Sequence, residues 1–141
     1  MRVLLDTCVL SELVHPQGAP SVRLAVEALA EADTFVSVVS LGEIERGVGL
    51  LDPGARQRGL AEWLNGLHRD YGERILGIDG ETARLWGRLT AQASKAGRQV
   101  GAADGLIAAT ALRHGLSVMT RNVSDFEPTG ALIINPWNDD E

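Results

Sequence analysis

Cysteine and lysine are nearly missing from this chain. Cys8 is the only cysteine and Lys95 the only lysine among 141 residues. One cysteine excludes an intrachain disulfide and any zinc cluster built on cysteines. His15, His68 and His114 are scattered, so no histidine pair at ligand spacing exists either. No apolar stretch approaches the length of a membrane span. The apolar run after Met1-Arg2 breaks at Asp6, far short of a secretory core, and the cytoplasm is the expected address. The phosphate-loop pattern GxxxxGK[ST], the dinucleotide pattern GxGxxG, the zinc-protease pattern HExxH and the hydrolase elbow GxSxG are all absent. Basic residues are outnumbered by acidic ones, 13 to 19, giving a net charge of −6. That balance argues against a wide basic surface for duplex DNA.

What is present is one domain's worth of alternating pattern. No repeat, linker or low-complexity segment interrupts it. Val3–Leu5 reads as a buried strand, followed by a short helix over Cys8–Val14 that ends near Pro16 and Gly18. After Pro20, Val22, Val26 and Leu29 recur at helical spacing through "SVRLAVEALAEAD". Thr34–Val39 reads as a second strand and "SLGEIERGVGLL" as a helix. Leu60, Trp63, Leu64 and Leu67 share a helical face between Pro53 and Tyr71. Arg74–Ile78 reads as a third strand. Asp79 then caps a helix carrying Ala83, Trp86, Leu89 and Ala93. "AADGLIAATALRHG" is an apolar helix closed by Gly115, followed by a strand over Leu116–Met119 and a fifth over Ala131–Asn135. Alternation of apolar strands with helices implies an α/β fold: a parallel sheet of four to five strands with helices on both faces.

In such sheets, ligands bind beyond the carboxyl ends of the strands. Asp6 stands there, one residue past Leu5. Glu43 is expected in the first turn of the helix after the second strand, and Asp104 in the first turn of the helix before the fourth. Asn122 and Asp125 follow the fourth strand in "TRNVSDF". Each acid also has a plain structural reading. Asp6 could cap the helix that follows it, Ser40 and Glu43 could form a capping box, and Asp104 could complement a helix dipole. Asp125 could belong to a turn. Asp104 shares its stripe with Ile107, Ala108 and Ala111, whereas an acid serving only the dipole more often faces water.

Carboxylates crowded at one mouth repel, and a divalent cation relieves the conflict. Hard oxygen ligands suit Mg²⁺ or Mn²⁺. Such an ion can activate water against a phosphodiester, and it supplies positive charge that an acidic chain lacks.

The stretches "LLDTCVLSEL", "VSLGEIERGVGLL", "AADGLIAATALRHGLSVMTRNVSDF" and "INPW" together resemble the PIN-domain ribonucleases of bacterial toxin–antitoxin pairs, the VapC-like toxins. "FVSVVSLGEIERGVGLL" and "INPW" are similar to the FitB branch of that family. The resemblance spans nearly the whole chain, 1–141, as a single PIN domain. It implies a Mg²⁺-dependent endoribonuclease, with Mn²⁺ able to substitute. By position, Asp6, Glu43 and Asp104 match the family's core acids, and Asp6 and Asp104 its usual metal ligands. Glu43 and Asp125 are further ligand candidates. Thr7 matches a hydroxyl residue that supports the site. The family's fourth acid falls either where Asn122 stands, here an amide, or where Asp125 stands. Arg121, in the same loop, is placed to touch a phosphate or is a surface charge.

The resemblance also implies partners: an RNA substrate, a second copy of the chain, and a cognate antitoxin. That antitoxin would carry a DNA-binding domain and a basic inhibitory segment, so operator DNA is reached only through it. A chain this small offers limited interior to its apolar residues, Trp63, Trp86 and Trp137 among them, which favours a homodimer. An aspartate-based phosphatase also begins strand–Asp, but it wants a second acid two residues on, where this chain has Cys8. It also wants a strand-end lysine, as does a receiver-like signalling domain, and Lys95 lies at a helix end. A catalytically inactive PIN fold acting as a binding module is the remaining alternative; intact Asp6, Glu43 and Asp104 speak against it.

Overall fold

Five short strands run parallel in the computed structural model, which describes residues 1–137. They are β1 (Val3–Leu5), β2 (Thr34–Ser37), β3 (Ile75–Leu76), β4 (Ser117–Met119) and β5 (Ile133–Ile134), in the spatial order β3-β2-β1-β4-β5. β1 is buried along its whole length because a central parallel strand is covered on both faces, so only apolar residues fit there. It pairs with β2 through Val3 opposite Thr34, and with β4 through Leu5 opposite Met119. The chain lays down β1, β2 and β3 in one direction, then returns to place β4 and β5 on the other side. The direction of winding therefore reverses between β1 and β4, and a crevice opens beyond their carboxyl ends.

The helices are α1 (Thr7–Val14), α2 (Pro20–Glu27), α3 (Val38–Gly49), α4 (Ala55–Tyr71), α5 (Gly80–Lys95), α6 (Ala102–His114) and α7 (Val123–Phe126). The two-residue period of the strands splits the core into two layers. Val3, Leu5, Val36 and Met119 face Val9, Leu10, Val22, Ile44 and Leu64 from α1 to α4. Leu4 and Val118 face Ile107, Ala108, Ala111 and Phe126 from α6 and α7. Helices cover both faces, as the alternating pattern predicts. No helix among the described residues is long and apolar enough to cross a membrane.

Several boundaries differ from the sequence reading. β2 ends at Ser37, not Val39, and α3 starts at Val38, because the Ser37 hydroxyl caps it by accepting the Val39 N–H at 3.0 Å. Glu43 therefore lies in the second turn of α3, and the Ser40–Glu43 capping box does not form. The β-branched run "VSVV" reads as strand, but a good cap at Ser37 overrides that propensity. α2 stops at Glu27, and Glu31–Asp33 makes a separate 3₁₀ turn. β3 and β5 shrink to two residues each. Asp79 caps α5 as expected, accepting the Thr82 N–H at 2.8 Å, and Gly115 closes α6 at φ 67°.

The three tryptophans find places within the protomer. Trp63 and Trp137 pack against the layer formed with α1 to α4, and Trp86 lies between α5 and α6. Gly105 of α6 lets that last packing happen. A Cβ there would stand 2.9 Å from both Cδ1 and Nε1 of Trp86. Gly105→Ala should therefore lower stability by about 1–3 kcal/mol through overpacking, read from the urea midpoint. In the Trp86→Leu background the same change should cost less; equal cost in both would show that the indole is not the obstacle.

Candidate active site

Asp6 is 4% exposed and sits where β1 runs into α1. A carboxylate this deep needs donors. Its Oδ1 accepts the Thr7 backbone N–H at 2.9 Å, and its Oδ2 accepts the Thr120 hydroxyl at 2.8 Å. Asp6 thus does cap α1, and it is also fixed from β4. Thr120 is fully buried and in turn accepts the Asn122 N–H at 3.0 Å. The sequence reading did not single out Thr120. Its signal was available: Leu5 pairs with Met119, so the next residues, Asp6 and Thr120, must lie side by side.

A second set of contacts ties Glu43 to the same point. The Thr7 hydroxyl donates to Glu43 Oε1 at 2.7 Å and stands 2.8 Å from Ser40 Oγ. Thr7 has one proton to give, so Ser40 donates to Thr7. Ser40 is fully buried, which makes it a fixed anchor beneath an exposed carboxylate. Thr7 supports the site as expected, and Ser40 acts through it rather than as a helix cap.

Asp104 lies in the first turn of α6 and is partly buried. Its carboxyl is pushed up to about 6, first by burial and then by the charges of Asp6, Asp125 and Glu43. Four acids from α3, α6, α7 and the β1 end therefore share one electrostatic neighbourhood. Asp125 is exposed on α7, and its charge reaches Asp104. Asn122 stands at the start of α7 with its backbone held by Thr120. Arg121 precedes it, its guanidinium 5.4 Å from the centre of the Trp137 ring.

The Cys8 thiol stands 3.5 Å from both Asp6 Oδ2 and Thr120 Oγ. Burial pushes its pKa up, opposed by the Arg121 backbone N–H and the Thr120 hydroxyl, with the Asp6 charge adding to the rise. A raised thiol pKa disfavours the thiolate, and Cys8 stands where an aspartate-based phosphatase would want its second acid.

The acids that share this neighbourhood, Asp6, Glu43, Asp104 and Asp125, are hard oxygen donors. Among the described residues, no three His, Cys, Asp or Glu side chains close on a single point. Carboxylate oxygens are donors of the kind that a hard cation takes.

The PIN-domain family model matches residues 3–129. The chain belongs to the PIN-domain family. Over 138 residues it is 35% identical to the toxin FitB of Neisseria gonorrhoeae, covering 97% of this chain and 99% of that protein. It is also 35% identical over 136 residues to the VapC ribonuclease Y4jK of Sinorhizobium fredii, covering 96% and 97% of the two chains. The structure of FitAB bound to an IR36 DNA fragment superposes with a TM-score of 0.91 at 33% identity, covering 96% of each chain. The acid mouth of this PIN domain sits at the winding reversal of the sheet.

Two outcomes follow from the geometry. Asp104 has its ordinary value of 3.8 in the unfolded chain and about 6 in the folded one. Between about pH 4 and about pH 6 the folded chain holds a proton that the unfolded chain has released, so stability falls as pH rises through that window. In EDTA, Asp104→Asn should match the parent near pH 4 and exceed it in melting temperature above about pH 7; a gain independent of pH would remove the crowding argument. Thr120→Val leaves buried Asp6 one donor short and should cost about 1.5–3 kcal/mol in urea unfolding, with Thr120→Ser nearly neutral.

Proposed function

We propose that the chain is the toxin of a type II toxin–antitoxin pair and that it hydrolyses RNA phosphodiester bonds. One observation carries the reading: the Asp104 carboxyl, raised first by burial, is raised further by the charges of Asp6, Asp125 and Glu43. Nothing in a resting fold gains from that repulsion, while a cation-assisted reaction uses it. The names of the relatives, a toxin and a VapC ribonuclease, point the same way.

Asp6 and Asp104 would hold the ion, with Glu43 and Asp125 as outer or additional ligands. When bound, Mg²⁺, or Mn²⁺ in its place, supplies the positive charge and the activation of water that this hydrolysis needs. The chain's own part is orientation and proton traffic. The Thr7 N–H and Thr120 hydroxyl hold Asp6 in one rotamer with both oxygens engaged. Ser40 and Thr7 hold Glu43 at the rim, where a carboxylate can take the proton of an attacking water. The products would be a 5′-phosphate and a 3′-hydroxyl.

The proposed partner has a seat. A mostly apolar groove of about 570 Å³ runs between α1, α3 and α4, lined by Val14, Ile44, Val48, Leu60 and Trp63. It shares Thr7 and Glu43 with the acid mouth. An antitoxin segment with apolar side chains would fill the groove, and a basic residue at its end would enter the mouth. Arginine suits that end because its planar fork pairs with carboxylates bidentately. The antitoxin's other domain would bind operator DNA, in keeping with the DNA held by the FitAB structure. Homodimerisation belongs to the same proposal, and since the tryptophans are housed within the protomer, light scattering at micromolar concentration decides it.

Asp6→Asn and Asp104→Asn should each lower Mg²⁺-dependent RNA cleavage by about a hundredfold or more while the fold persists. Parent-like cleavage in both would end the reading. Asp125→Asn should weaken cleavage far more than Asn122→Ala, since an ionised carboxylate suits a hard cation better than an amide does; the Mn²⁺ dependence of the two variants orders them. The antitoxin with its C-terminal arginines changed to alanine should lose inhibition, and retention of full inhibition would leave only the groove as the inhibitory contact.

A further inference from the structure

The loops and helix starts beyond the carboxyl ends of the strands are acidic or neutral with one exception. In residues 6–8, 37–40, 77–79, 120–122 and 135–137, the only basic residue is Arg121. An acid mouth repels a polyanion, so a cation beside it matters to any nucleic-acid strand that enters. Arg121 directly follows Thr120, whose hydroxyl holds Asp6, so it is fixed to the site through one peptide unit.

The loop around Arg121 is held on three sides. Its own backbone N–H goes to the Cys8 thiol. The neighbouring Asn122 N–H goes to Thr120 Oγ. The Thr120 N–H goes to the Ile134 carbonyl at 2.9 Å, which brings the end of β5 and the residues after it alongside. Those residues include Trp137, whose N–H bonds Asn135 Oδ1 at 3.0 Å. The Trp137 ring packs against the core layer of α1 to α4 and carries the exposed Arg121 side chain over it at 5.4 Å. A tryptophan packed against the core thus supports the guanidinium of a residue whose chain neighbour, Thr120, holds Asp6.

Single strands of RNA are read by stacking unpaired bases on aromatic rings and on guanidinium planes. We propose that Arg121, backed by Trp137, is a stacking and phosphate-contacting platform for the nucleotide next to the bond cleaved at the acid mouth. The inference rests on the ribonuclease reading and adds to it a residue pair that sets substrate affinity. The pair takes no part in the chemical step. A guanidinium can meet a phosphate and a base plane at once, whereas an ammonium gives only a point charge. The alternative in which the pair merely pins the residues after β5 has no dependence on RNA.

The test compares Arg121→Lys and Trp137→Leu with the parent, in two measurements. The first is cleavage of a short single-stranded RNA in Mg²⁺, split into KM and kcat. The second is anisotropy of the same fluorescein-labelled RNA with each change placed in an Asp104→Asn background, which leaves the strand intact. Both variants should raise KM about tenfold with kcat little changed, and weaken binding by a similar factor. Arg121→Lys is informative even if Trp137→Leu loosens the fold, because it keeps the charge and the length. Unchanged KM and binding in Arg121→Lys would overturn the platform while cleavage by the parent keeps the ribonuclease reading. A parent that binds RNA through Arg121 but does not cleave it would do the reverse. Weakened inhibition by the antitoxin with RNA binding unchanged would assign the pair to the partner and overturn the proposal.

Discussion

Mutual repulsion among four carboxylates is the constraint around which the mouth of this domain is built. Asp6, Glu43, Asp104 and Asp125 come from different elements, and each needs a reason to stay. Asp6 stays because a backbone N–H and a buried hydroxyl satisfy it inside the core. Glu43 stays because Ser40 and Thr7 pass a hydrogen bond up to it from the interior. Asp104 gains from its place at a helix N-terminus, yet its carboxyl still rises to about 6. The hydrogen bonds set position, but they do not cancel charge. What remains uncancelled is the charge that the proposed cation would neutralise.

The sheet order decides why the cluster forms here. β1 and β4 are neighbours only because the winding reverses between them. The positions of Asp6 and Thr120 follow from the Leu5–Met119 register. Had β4 added beside β3 instead, Asp6 would have lost its buried donor and Asp104 its neighbours. The site is a consequence of topology before it is a consequence of any one residue.

Much of this was legible in the sequence, and the rest failed for physical reasons. The apolar strands and the helical stripes gave the α/β class, and acids at strand ends marked the mouth. Asp6, Glu43, Asp104 and Asp125 were legible because charge is conspicuous next to apolar runs, and Thr7 only through the family resemblance. Thr120 was not, because a threonine in "VMTRN" looks like an ordinary strand residue until the strand order is known. The capping alternative for Ser40-x-x-Glu43 does not form, because Ser37, three residues earlier, takes the cap in the fold. The two candidate caps differ only in tertiary context: Ser37 ends a strand paired to Leu76, and Ser40 faces Thr7. The tryptophans are all partly buried: Gly105 makes room for Trp86, and Trp63 and Trp137 pack along the layer of α1 to α4.

Thr7 and Glu43 belong both to the acid mouth and to the apolar groove. This sharing has a thermodynamic consequence. A ligand that binds only the folded chain stabilises it in proportion to its occupancy. A cation at the mouth and a basic segment reaching it from the groove would draw on the same uncancelled charge, so each relieves the Asp104 repulsion that the other would otherwise relieve. Their effects on stability must then be less than additive, and binding of one must weaken the other by the same factor in both directions. A partner confined to the groove, touching Val14, Ile44 and Leu60 alone, would leave that repulsion in place and show no such competition. On the proposed reading, the four acids that would serve the reaction are also the natural point of control, because a metal and a basic side chain can both supply the positive charge they lack.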